Sequence, residues 1–167
     1  MPTSEPLDIL LAHDRWASLQ ILDACHRLPP DEFHRRFEIG PGSLHDTLTH
    51  VVGAMRAWTE TLSGQAPRPR PEADGQRRTP EQLRAMLEEA CGELGAEAVR
   101  RPLAEVVTRR TRDGRTLEMT RGAVLVHVAT HGMHHRAQCL NMLRRLGVQP
   151  LPPNSVAEWA WLADAQG

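Results

Sequence analysis

Histidine is in surplus in this chain and unevenly spread. Of nine histidines in 167 residues, four fall in one stretch, Val124-Leu-Val-His127-Val-Ala-Thr-His131-Gly-Met-His134-His135-Arg136-Ala-Gln138. On a helix of 3.6 residues per turn, His131 and His135 lie one turn apart on one face. Their Cβ atoms are then about 5–6 Å apart, so two imidazoles can reach one metal ion. Counting 100° per residue, Val124, Val128, His131, His135, Cys139 and Met142 share a sector roughly 80° wide. The pair therefore sits on an apolar, inward stripe. An unpaired buried polar group costs roughly 1–3 kcal/mol, and a metal ion is one partner that removes this cost. His127 and His134 border the stripe. They are candidates for a general base or for orienting a ligand.

A catalytic zinc site uses three protein ligands and keeps one open position. The third ligand must come from another helix, and the second helix offers His45 and His50. On the helical wheel His50 falls on the shoulder of the apolar stripe, beside Ala54 and Thr47, and geometry leaves His45 nearly as good. His13, His26 and His34 are scattered on or after the first helix and are expected not to bind metal. Asp46 and Glu60 are the acids placed to support a ligand. Arg121 and Arg136 suit a substrate carboxylate, but surface salt bridges fit both better. Glu88-Glu89 reads as a solvated face.

The elements that must position these residues are helical. Residues 5–28 carry Leu7, Leu10, Leu11, Leu19 and Leu22 at mostly helical spacing, and Pro29-Pro30 stops them. Ser43 reads as an N-cap, with Asp46 in the capping-box position, for a helix over residues 44–62 that Gly64 closes. Residues 64–78, rich in Pro and charge, read as a loop. Thr79-Pro80-Glu81-Gln82 starts a third helix that ends before Pro102. Asp113-Gly114 between extended stretches predicts a short hairpin. A fourth helix spans about residues 121–146, with Gly147 at its end, and a short fifth helix covers residues 155–165. The expected fold is all-α: a four-helix bundle with long crossover connections, a hairpin before the fourth helix and a short C-terminal helix, in one domain over residues 1–167.

Three pieces of this pattern resemble the DinB-like (DinB/YfiT) family of metal-binding four-helix bundles. His50-Val-Val-Gly-Ala-Met-Arg-Ala-Trp58 is similar to that family's second-helix histidine, which is followed by a small residue and an aromatic. His127 to Gln138 looks like its fourth-segment motif, a histidine pair four apart ending in His-Arg-Gly-Gln. His13-Asp-Arg-Trp16-Ala looks like its Asn-x-x-Trp region. The resemblance runs from about Leu7 to Leu162. Ala137, Met55 and His13-Asp14 depart from the pattern, replacing Gly, Glu and Asn.

Carried over residue by residue, the resemblance puts the metal triad on His50, His131 and His135. It implies a divalent ion, commonly zinc or nickel, and a homodimer. It also implies, for some relatives, a low-molecular-weight thiol such as mycothiol or bacillithiol used in transfer or isomerisation. The expected function is a metal-dependent enzyme that activates a thiol or water for a small-molecule substrate. The alternative is a non-catalytic, metal-stabilised module for stress response or small-ligand binding.

Composition limits the other classes. Apolar residues make up 40% and charged residues 25%, with a net charge of −1. A whole-molecule attraction to nucleic acid or anionic membrane is not expected. The local run of seven Arg between Arg100 and Arg121 lacks interleaved aromatics. No stretch of about 18 apolar residues exists, so no membrane span is expected. The start of the chain does not read as a signal peptide, so a cytoplasmic protein is expected. All 20 Lys/Arg positions are Arg and Tyr is absent, which removes Schiff-base and tyrosyl chemistry. Cys25, Cys91 and Cys139 are odd in number and far apart, and suggest neither disulfides nor a cysteine zinc site.

Overall fold

The computed structural model describes residues 5–111 and 113–164. Four long helices dominate: α1 (Pro6–His26), α3 (Leu44–Ser63), α4 (Pro80–Arg100) and α5 (Arg121–Arg145). Between them lie a one-turn helix α2 (Pro30–Phe33) and a 3-10 turn (Pro71–Ala73). A two-stranded antiparallel hairpin, β1 (Val106–Arg110) and β2 (Thr116–Thr120), precedes α5, and α6 (Val156–Asp164) follows it. The expected all-α class and hairpin are present. The sequence predicts neither α2 nor the 3-10 turn: the first begins at Pro30, where Pro29-Pro30 signals a stop, and the second lies inside the Pro-rich stretch expected to be a loop.

The helix ends follow from local chemistry. The Ser43 hydroxyl accepts from the Asp46 amide, and Thr79 with Gln82 makes a reciprocal capping box, so α3 and α4 each have a free N–H of the first turn satisfied by the residue that precedes the helix. Gly64 ends α3 with φ of 71°, a left-handed conformation that costs a glycine little. The fifth helix starts on the Thr120 hydroxyl, which accepts from the Ala123 amide.

Helices α1 and α3 each pack against both α4 and α5. The four therefore form a ring in which α1 stands opposite α3 and α4 opposite α5. Ile21, Leu22, Leu44, Leu48, Met55, Leu83, Leu87, Leu125 and Met142 fill the middle. Burying a side chain of this kind contributes about 1.5–3 kcal/mol, and this core fixes the rotation of α3 and α5. No helix among the described residues is long and apolar enough to cross a membrane.

The two arginines expected at the surface are instead fully buried, at 0% and 1% exposure for Arg121 and Arg136. Arg121, the first residue of α5, donates to the carbonyls of Leu62 and Glu97 and to the Glu97 carboxylate. It thus closes the C-terminal ends of α3 and α4, where free carbonyls and the helix dipole favour a cation. Arg136 donates to Asp14 and Ser18 of α1 and, at 3.1 Å, to Asn154. Gly132 is the reason α1 can come so close: a Cβ there would meet the Asp14 carboxylate.

Candidate metal centre

The core turns the apolar stripe of α5 inward and brings the histidine pair with it. His135 is buried and His131 half-buried, one turn apart. From α3, His50 leans across the α3–α5 seam. The Nε2 atoms of the three rings converge: His50 to His131 is 3.3 Å, and His135 to His131 is 3.1 Å. Among the described residues these three form a group whose ligand atoms all lie within 4.8 Å of one another.

The chemistry of this donor set fits a divalent ion. Ligand nitrogens at about 2.0–2.1 Å around a tetrahedral ion stand about 3.3–3.4 Å apart, close to the observed spacings. The tautomers agree. The Glu72 carboxylate can only accept, so it holds the proton of His50 on Nδ1, at 3.2 Å. The Gln138 amide oxygen takes the Nδ1 proton of His135 at 2.8 Å, while its NH2 group donates to His134 Nε2 at 3.1 Å. Both rings are left with an Nε2 lone pair aimed at His131. A single proton on His131 Nε2 cannot satisfy two such neighbours; a shared cation can.

The electrostatics point the same way. Burial, followed by the neighbouring imidazoles, lowers the pKa of His131 to about 4. Burial also lowers that of His135, against the Gln138 hydrogen bond that raises it. Both rings are thus neutral at pH 7 and able to donate a lone pair. Burial pulls the Glu72 carboxyl upward, but the hydrogen bond with His50, the local backbone and Arg70 together outweigh it and hold Glu72 below its usual range.

Two glycines make room for these supporting groups. A Cβ on Gly53, one turn after His50, would run into the Glu72 carboxylate, and one on Gly40 would run into the Gln138 amide. The acids named from sequence serve elsewhere: Asp46 pairs with His45 and Arg36, and Glu60 with Arg68 at 2.7 Å. Glu72 was missed because it lies on the 3-10 turn of the crossover, where no periodicity ties a residue to a helix face.

The other histidines separate cleanly. Of the two α3 histidines, His50 is the one brought to the α5 pair; His45 is engaged elsewhere, its Nε2 accepting from the Arg78 amide at 3.1 Å and its Nδ1 pairing with Asp46 at 2.9 Å. His13 donates from Nε2 to the Asn154 carbonyl and stacks near Trp16 and Trp159. His26 pairs with Glu81 at the surface, and His34 stacks on His45 with ring centres 4.5 Å apart. His127 lies edge-on to Trp58 at 4.9 Å and 5.8 Å from the His131 ring, and the Arg109 guanidinium lies over the Trp58 ring at 4.1 Å.

The cysteines stay out of this chemistry. Burial pushes the Cys91 and Cys139 thiols up to about 12 and that of Cys25 well above its usual value. The arginine run is also largely committed: Arg100 pairs with Glu97, Arg101 with Glu105 and Arg115 with Asp113, and Arg121 is buried. Arg112 lies outside the described residues.

A mostly helical chain with three inward imidazoles on two facing helices defines a protein able to hold a metal ion. The family model described as "DinB family" matches residues 1–164, and the chain belongs to that family. No curated protein matches the sequence.

Proposed function

We propose that this protein is a metal-dependent enzyme in which His50, His131 and His135 hold a divalent ion, zinc or nickel, to activate a thiol or water. The reaction class is thiol-dependent transfer or isomerisation, or hydrolysis, on a small electrophilic substrate. The observation that carries this reading is the convergence of three Nε2 atoms, two of them with Nδ1 protons held by Glu72 and Gln138. Bound there, the ion would act as a Lewis acid and lower the pKa of a coordinated water or thiol towards neutrality.

The chain's own residues supply the rest. Three neutral imidazoles leave the ion's positive charge uncancelled. Glu72 and Gln138 lock ring orientation, so little rearrangement is needed on binding. His127 is the candidate general base: burial, then Arg109, lowers its pKa, so it stands unprotonated at neutral pH and able to take a proton. His134 has a positioning role, since its Nε2 engages the Gln138 amide that in turn orients His135. The three cysteines of the chain are poor nucleophiles by burial, which supports an external thiol rather than an internal one.

Elemental analysis of the purified protein, followed by a screen of thiol-transfer and hydrolase substrates, tests this. His135→Ala is expected to lose both metal and turnover. Full turnover in that variant with no metal bound would refute the reading. Tight metal retention with no turnover across both panels would instead favour the metal-stabilised, non-catalytic module.

A further inference from the structure

A cavity of about 730 Å³ opens between the start of α3 and the crossover that follows it, with His50, Thr49, Glu72, Arg70 and Arg77 on its walls. Its size suits a small organic molecule. Its acids are already engaged: Asp46 by His45 and Arg36, Glu72 by His50. Its guanidiniums are not matched in this way. Arg70 lies near Glu72 but donates to the Gly53 carbonyl. Arg77 has no hydrogen bond or ion pair from its side chain among the described residues. Its charge is felt across the cavity at His34, whose pKa is lowered by burial, then His45, then Arg77.

A second observation comes from the threonines of α3. Thr47, Thr59 and Thr61 each donate their hydroxyl to the carbonyl four residues back, at 2.6, 2.9 and 2.9 Å. Thr49, on the cavity wall and 3% exposed, does not: its hydroxyl has no partner. A buried hydroxyl without a partner costs about 1–3 kcal/mol; the Thr49 oxygen is closed to solvent, so a ligand removes that cost only if the side chain turns towards the cavity.

We propose that this cavity binds a small carboxylic acid, with the carboxylate on Arg77, Arg70 behind it, the Thr49 hydroxyl turning to meet it, and the opposite end of the molecule reaching the His50 edge of the triad. The placement at the triad rests on the metal-site reading above; the carboxylate site does not. A planar guanidinium matches a carboxylate with two parallel hydrogen bonds, which gives orientation as well as affinity.

The test uses two probes of equal size, 4-mercaptobutyrate and its primary amide 4-mercaptobutyramide. Each is titrated into metal-free protein, wild type and Arg77→Gln, while the backbone amide resonances of the cavity residues Thr49, Gly75 and Gln76 are followed by NMR; in the wild type the Arg77 Nε–H, assigned by its loss in Arg77→Gln, is followed as well. The acid is expected to saturate the cavity amide shifts, and in the wild type the Arg77 signal, at a concentration at least tenfold lower than the amide, and Arg77→Gln to abolish that preference in the amide shifts. Equal titration by acid and amide, or a preference that survives Arg77→Gln, overturns the proposal. A parallel cobalt titration separates the two readings. Protein that takes up no cobalt but keeps the acid preference ends the metal reading alone. Protein that binds cobalt but shows no acid preference ends the carboxylate site alone.

Discussion

Gly53→Ala should move stability and metal affinity in opposite directions. Gly53 lies in the interior of α3 with ordinary helical backbone, so alanine there would normally stabilise the helix by about 0.8–1 kcal/mol. The added Cβ, however, occupies the space of the Glu72 carboxylate. Glu72 must swing away, and the His50 Nδ1 proton loses its acceptor. Loss of such a supporting hydrogen bond typically weakens metal binding 10- to 100-fold, or about 1.4–2.7 kcal/mol. Thermal unfolding in chelator should therefore show Gly53→Ala at least as stable as the wild type, while competition against a chromophoric zinc chelator shows the affinity loss. Glu72→Ala should lose a similar amount, and the double variant no more than either single change, because both remove one interaction. Wild-type affinity in Gly53→Ala, or losses that add in the double variant, would refute the coupling of Gly53 to His50 through Glu72.

Two further outcomes follow from buried groups. Asp14→Ala leaves Arg136 charged and without its carboxylate at 1% exposure, which should cost about 3–5 kcal/mol and lower Tm by roughly 10 °C in circular-dichroism melts; a change under about 1 kcal/mol would show that Ser18 and Asn154 alone suffice. In metal-free protein, His131 titrates near 4 when folded against 6.5 for the free side chain, so between these values the unfolded chain binds more protons and stability falls with falling pH. Melting curves of the wild type and His131→Gln should therefore shift in favour of the variant as pH drops from 6.5 to 4; a constant gap would place the pKa of His131 near its free value.

What the sequence revealed depended on whether a signal was local. Ser43, Gly64, Thr79 and Gln82 announce the ends of α3 and α4 because capping is satisfied within three or four residues. The His131–His135 pair was legible for the same reason, as a spacing on one helix. His50 was not separable from His45 by the wheel. The family pattern chose it, and the physical reason is that Arg78 and Asp46, distant and adjacent respectively, consume both nitrogens of His45. Glu72 and the interior placement of Arg121 and Arg136 were illegible. A charged residue reads as surface unless the helix ends, or the carboxylate, that will meet it are known to lie there, and Leu62, Glu97 and Asp14 are remote in sequence from the arginines they hold.

The parts around the triad are divided between two kinds of chain. The imidazoles stand on α3 and α5, whose rotation is set by the core, whereas Glu72, Arg70 and Arg77 hang from the connection between α3 and α4, and Gly40 from the one before α3. Changes at Arg70 or Arg77 would reshape the cavity beside the triad without disturbing the packed interior. Glu72 is the exception: it rides on the same connection yet orients His50, so it ties the freedom of that connection to the posture of a ring on α3.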